Sequence, residues 1–158
     1  MIIMGIDPGY ERMGIAVIEK SPINGKESLL FSTCFKTLAK EEHSERLRQL
    51  GEEILSVIKK YKPDILSIET LFFETNAKTA MKVSEARGTI IYIAKSQGLK
   101  IREFTPMQIK VAVTGHGRSD KKQIIAMVER LIKIKEPIKY DDEYDAIAIA
   151  LTAGAIKG

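Results

Sequence analysis

Residues 2–9 read IIMGIDPG: an apolar run, one carboxylate at its end, then Pro8-Gly9. A short apolar run closed by a turn signal reads as a buried β-strand, here Ile2–Asp7. A lone charge is costly to bury at the end of such a strand. Asp7 therefore requires a partner there: a metal ion, a basic side chain or the amides of the DPG turn. The same grammar recurs at DILSIET, 64–70, where Glu69 closes a second apolar strand. Ligands in open α/β sheets gather beyond the carboxyl ends of parallel strands. If these two strands are parallel neighbours, Asp7 and Glu69 share one end of a sheet.

Outward from these two strands, 14–19 and 28–36 alternate as strands, joined around Asn24-Gly25, a strong hairpin signal. Residues 41–61 carry Leu47, Leu50, Ile54, Leu55, Val57 and Ile58 at helical spacing, and Pro63 closes that helix. A second helix is expected over 76–96 with Gly98 near its end, and a fifth strand over 100–104. Thr105-Pro106 with Gln108 has the form of a capping box with proline at the first helical position. Gly115-His116-Gly117 breaks the chain before a helix over 119–134, for which Ser119 is the expected cap. A last helix starts at Asp141 or Asp142. The order β-β-β-α-β-α-β-α-α-α predicts an α/β fold: a mixed five-stranded sheet with helices on its faces. With 158 residues and no repeat or linker, a single domain over 1–158 is expected.

No apolar run approaches the roughly 18–20 residues that cross a bilayer, and MIIMGIDPG lacks the features of a signal peptide. Cys34 is the only cysteine, which excludes an internal disulfide and a cysteine zinc site. A cytoplasmic protein without membrane contact is expected. The net charge is +4 but unevenly spread. Residues 110–135 hold seven Lys/Arg against Asp120 and Glu129, whereas 136–158 hold five acids against Lys139 and Lys157. A basic stretch beside an acidic one suits a protein that binds both a polyanion and a metal, although a solvated helix face would look similar.

The last helix opens DDEYD and continues AIAIALTAGAI, apolar on most sides. Asp142 and Asp145, spaced i, i+3, share a face. Spacing equally permits Asp141 with Asp145, and either Asp141 or Asp142 could serve as a helix cap. Three or four carboxylates without a Cys or His cluster make an oxygen-donor site, which selects Mg²⁺ or Mn²⁺ over zinc. Two such ions would clamp the oxygens of a phosphoryl displacement. His43 and His116 stand isolated in sequence and receive no metal role.

GIDPG at 5–9, IET at 68–70 followed by Leu71-Phe72, SEARG at 84–88 and DxxDAIAIA at 142–150 together resemble the RuvC family of Holliday-junction resolvases. The resemblance runs from residue 1 to about residue 155. It implies an RNase H-like fold, a homodimer, Mg²⁺ (with Mn²⁺ as a substitute) and paired symmetric cuts in four-way junction DNA, in recombination and repair. It implies a branch-migration helicase complex as a further partner. By motif, Asp7, Glu69, Asp142 and Asp145 match the family's acidic tetrad, which selects Asp142 over Asp141. Phe72 matches an aromatic that stacks on junction bases, and Lys110 and Lys121 match basic residues near the scissile phosphate. The loop GHGRSDKKQ, 115–123, is similar to a family stretch; as basic loop residues, Arg118 and Lys122 are further candidate phosphate contacts. The sequence departs from the family where Phe73-Glu74-Thr75 places an acid after Phe72.

Against each role stands a structural alternative. Leu71-Phe72-Phe73 would also serve as core, and Lys110 as a solvated face. A lysine at a helix start opposes the helix dipole, so Lys121 is better explained by phosphate. The 76–96 helix has apolar residues on more than one stripe, which suits packing on the sheet and on a second copy. Two other functions fit the same residues: a monomeric RNA–DNA hybrid nuclease, and a nuclease-like DNA-binding module without catalysis.

Overall fold

A computed structural model describes residues 1–71 and 77–156. Phe72 and the acidic departure at 73–75 lie outside the described residues. The strands are β1 (Ile2–Asp7), β2 (Arg12–Lys20), β3 (Glu27–Lys36), β4 (Ile65–Glu69) and β5 (Lys100–Phe104). The helices are α1 (His43–Tyr61), α2 (Ala77–Ser96), α3 (Pro106–Thr114), α4 (Lys121–Leu131) and α5 (Asp141–Ala155). They form one five-stranded sheet in the order β3-β2-β1-β4-β5. The β1–β2 and β2–β3 pairs are antiparallel, and the β1–β4 and β4–β5 pairs are parallel. This is the mixed sheet expected from the sequence, with helices on both faces.

Strand alternation sorts the core into two layers. Met4 and Ile6 of β1, Met13, Ile15 and Val17 of β2, and Leu66 and Ile68 of β4 pack against α1 and α2. Ile3 of β1, Ile18 of β2 and Ile65 of β4 face α3, α4 and α5. The same alternation carries Asp7, two and four residues after Gly5 and Ile3, onto the α5 face, and carries Glu69 there after Ile65 and Ser67. Ser67 confirms the side: its hydroxyl donates to the Ile149 carbonyl of α5 at 2.7 Å.

Helix α5 lies unusually close to the sheet because small residues meet there. A Cβ on Gly5 would stand 2.2 Å from the Ala146 carbonyl oxygen, and one on Gly14 would stand 1.9 Å from that of Asp142. Both strands thus need glycine where the helix backbone crosses. From Ala146 to Gly154 the helix is buried throughout.

Two boundaries differ from the sequence reading. The cap of α4 is Asp120, not Ser119: the Asp120 carboxylate accepts from the Gln123 amide, and the Gln123 side chain accepts from the Asp120 amide. Ser119 is buried and donates instead to the His116 carbonyl, beside the Thr114 hydroxyl. Helix α4 also ends at Leu131, and Ile132 turns extended. In α5 the cap position is Tyr140, which makes no side-chain cap bond, so Asp141 and Asp142 both lie inside the first turn.

Candidate active site

Parallel pairing sets the site. Register runs Ile6 to Ile68, so Asp7 and Glu69 come next on adjacent strands and stand at the same end. Asp7 also pairs with Gly14, whose missing side chain admits the Asp142 backbone. Helix α5 therefore lays its first two turns over the ends of β1 and β2, bringing Asp142 and Asp145 to the strand-end carboxylates.

The four acids act on one another electrostatically. Burial first, and then the charges of Asp145, Glu69 and Asp142, push the Asp7 carboxyl up to about 7, while Lys121 opposes them. Glu69 also rises to about 7, through burial and then Asp145, with Lys110 opposing. Burial raises Asp145 too, although Lys121 pulls it down. Opposite charges normally lower carboxyl pKa values, so one or two lysines do not neutralise this cluster.

Lys121, the first residue of α4, lies 3.1 Å from Asp145 Oδ2 and 3.3 Å from Asp141 Oδ2. Burial lowers its ammonium pKa, but the two carboxylates outweigh that and raise it overall. Lys110 of α3 is half-buried. Both lysines line a cleft of about 300 Å³ together with Glu69 and Asp145, over an apolar floor that includes Ile109 and Ile149. Arg118 and Lys122 are exposed on the loop and first turn before and within α4, and they do not line that cleft.

Several residues at the site carried no role in the sequence reading. Arg12 opens β2 and sets its Nε 3.7 Å from Asp142 Oδ2. Arg46, only 5% exposed, donates to the Thr37 hydroxyl at 2.9 Å and lies over the Tyr10 ring. The Thr37 hydroxyl in turn donates to the Tyr10 carbonyl, which fixes the turn after Asp7. His43, read as isolated, is not: Nδ1 is 2.8 Å from the Tyr10 hydroxyl, and Nε2 contacts Glu85. Arg87, in the SEARG motif, donates to the Glu69 carbonyl. The motif itself was the signal for Arg87; the other contacts join residues far apart in sequence.

A divalent cation fits this donor set. The donors are oxygens, and Asp7 and Glu69 are held up by burial and then by like charge, both of which a cation would offset. Among the described residues no three acidic, His or Cys side chains stand in a closed ligand cage. Lys121 sits on Asp145 instead.

A mixed sheet with an acidic end covered by α5 defines the class of RNase H-like nucleases. The family model described as crossover junction endodeoxyribonuclease RuvC matches residues 3–153. The RuvC crossover junction endodeoxyribonuclease of Halothermothrix orenii is 40% identical over 154 residues, covering 98% of this chain and 92% of the relative. That of Thermosipho melanesiensis is 43% identical over 150 residues, covering 95% and 94%. Thermus thermophilus RuvC, solved in complex with a Holliday junction substrate, is 32% identical with a TM-score of 0.90, covering 98% of this chain and 93% of that one. The chain belongs to the RuvC family.

Proposed function

We propose that this chain is a structure-selective endodeoxyribonuclease that resolves four-way DNA junctions by paired symmetric nicks. The observation that carries the reading is the pair of strand-end carboxylates, Asp7 and Glu69, facing α5 acids inside a chain of this family. Residues 1–158 act as one RNase H-like domain. Asp7, Glu69, Asp142 and Asp145 serve as metal ligands. Bound divalent ions (two of Mg²⁺, with Mn²⁺ as a substitute) supply Lewis-acid stabilisation of the attacking and leaving oxygens.

The chain's own groups do the rest. The reaction breaks one backbone P–O bond and forms another to a water oxygen, so negative charge grows on the phosphate. Lys121 has its ammonium on Asp145, and with Asp145 holding a cation it would be free to stabilise that growing charge. Lys110, across the cleft near Glu69, holds a second phosphate oxygen. Arg118 and Lys122, both exposed, contact flanking phosphates. Phe72 stacks on a junction base.

A homodimer supplies two such sites in opposed orientation. Its support is an apolar groove between α1 and α2 lined by Leu47, Gly51, Leu55 and Ile93, with Met81 and Tyr92 exposed on α2. A branch-migration helicase complex as partner, and a cytoplasmic location, follow from the family reading alone. The test is a mobile four-way junction with each strand end-labelled in turn. Nicks at matched positions on two opposed strands are expected; scattered cuts, or equal cutting of linear duplex, would contradict the reading.

A further inference from the structure

Beyond the four acids, the structure places one cation against the strand that carries Glu69. Arg87 projects from α2 on the face opposite α5. Its Nε donates to the Glu69 main-chain carbonyl at 3.0 Å, and its outer nitrogen pairs with the Glu103 carboxylate of β5. The Arg87 side chain is 18% exposed, and its bond to the Glu69 carbonyl is partly buried. The β1–β4 ladder ends at the Ile6 and Ile68 pair, so the Glu69 carbonyl lies past it. Glu69 still pairs with Phe104 of β5, and Arg87 gives its carbonyl a charge-assisted hydrogen bond.

That position matters because the Glu69 side chain stands among like charges. Asp145 repels it and Asp7 is repelled by it, a force directed to splay the end of β4 away from β1. A guanidinium bonded to the strand from the opposite face, and oriented by Glu103, resists that splay without neutralising the acids. We propose that Arg87 is a positioning residue for the metal site: by holding the Glu69 carbonyl it keeps the Glu69 carboxylate within reach of an ion shared with Asp7. This rests on the reading of Glu69 as a metal ligand.

The test measures Mn²⁺ affinity by calorimetry on the DNA-free full chain, with the thermal midpoint in EDTA recorded for each protein. Groups that orient metal ligands typically change affinity by about 10–100-fold. Arg87→Gln is expected to weaken Mn²⁺ binding about tenfold, and Arg87→Lys, which keeps a donor, to recover part of the loss. A merely structural arginine would lower the thermal midpoint and leave the Mn²⁺ affinity of the folded protein unchanged; that result would overturn the proposal. If Arg87→Gln does not fold, Glu103→Gln carries the test: weakened Mn²⁺ binding supports it and unchanged binding overturns it. Glu69→Gln separates the two readings. If it binds Mn²⁺ like the parent chain, the metal-site reading itself fails; if it loses binding while Arg87→Gln does not, only the positioning claim fails.

Discussion

An aspartate buried beside three other carboxylates holds its proton far more tightly than it would in an open chain. For Asp7 that means a carboxyl that ionises near pH 7 when folded and near 4 when unfolded. Because the folded form binds the proton more tightly, the metal-free protein is favoured below about pH 4. That advantage fades as pH rises through 7. In EDTA at pH 8, Asp7→Asn should therefore be more stable than the parent by about 1–3 kcal/mol, read by chemical denaturation. Addition of Mg²⁺ should reverse the order, since only the parent gains. The apparent Mg²⁺ affinity of the parent should rise between pH 6 and 8, because binding must displace protons from Asp7 and Glu69. A pH-independent affinity would contradict the clustering of these acids. Asp7 and Glu69 were legible as single residues because a carboxylate closing an apolar strand has few explanations. Arg12 and His43 were not: their partners lie 130 and 42 positions away, and spacing carries no trace of such contacts.

At the scale of elements, α5 is the part that assembles the site, and the two strand glycines decide how near it comes. Gly14→Ala would drive a methyl group into the Asp142 carbonyl oxygen. Relief requires α5 to shift, so the variant should lose about 1–3 kcal/mol of stability, as overpacked core sites do. Its cleavage should fall by more than the loss of folded protein explains, since Asp142 moves with the helix. Activity scaling only with the folded fraction would show that the helix tolerates displacement. The start of α4 gives a second test. Asp120→Ala removes a capping box and should cost about 1 kcal/mol in thermal or denaturant unfolding. The same change in Ser119 would leave the cap intact. The elements were readable from apolar periodicity, and the mixed sheet, though not its strand order, followed from the alternation of strands and helices. The α4 cap was misplaced by one residue because Ser and Asp both suit that position. Gln123, three residues after Asp120, was the feature that distinguished them. Spacing left the pairing of Asp141 or Asp142 with Asp145 open, and only the family motif favours Asp142. Asp142 lies against Gly14 and Arg12, and Asp141 is turned toward Lys121 at the rim.

Over the whole molecule, Lys110 and Lys121 share the cleft with Glu69 and Asp145, and Arg118 and Lys122 are exposed outside it. Junction binding in EDTA should weaken steeply with salt, and Lys122→Ala should flatten that dependence by about one counterion. Sedimentation at working concentration should give twice the chain mass; a monomer that still makes paired nicks would refute the matched-symmetry account. The substrate's four-way shape was legible only through kinship, because charge and carboxylates specify phosphate chemistry and not branching. The central claim is that the four-acid site cuts branched DNA with a bound divalent cation. Its most direct measurement compares the parent chain with Asp7→Asn on a four-way junction and on linear duplex, each in Mg²⁺ and in EDTA. Cleavage is predicted for the parent on the junction in Mg²⁺ alone. Cutting in EDTA, undiminished cutting by Asp7→Asn, or equal cutting of the linear duplex would contradict it.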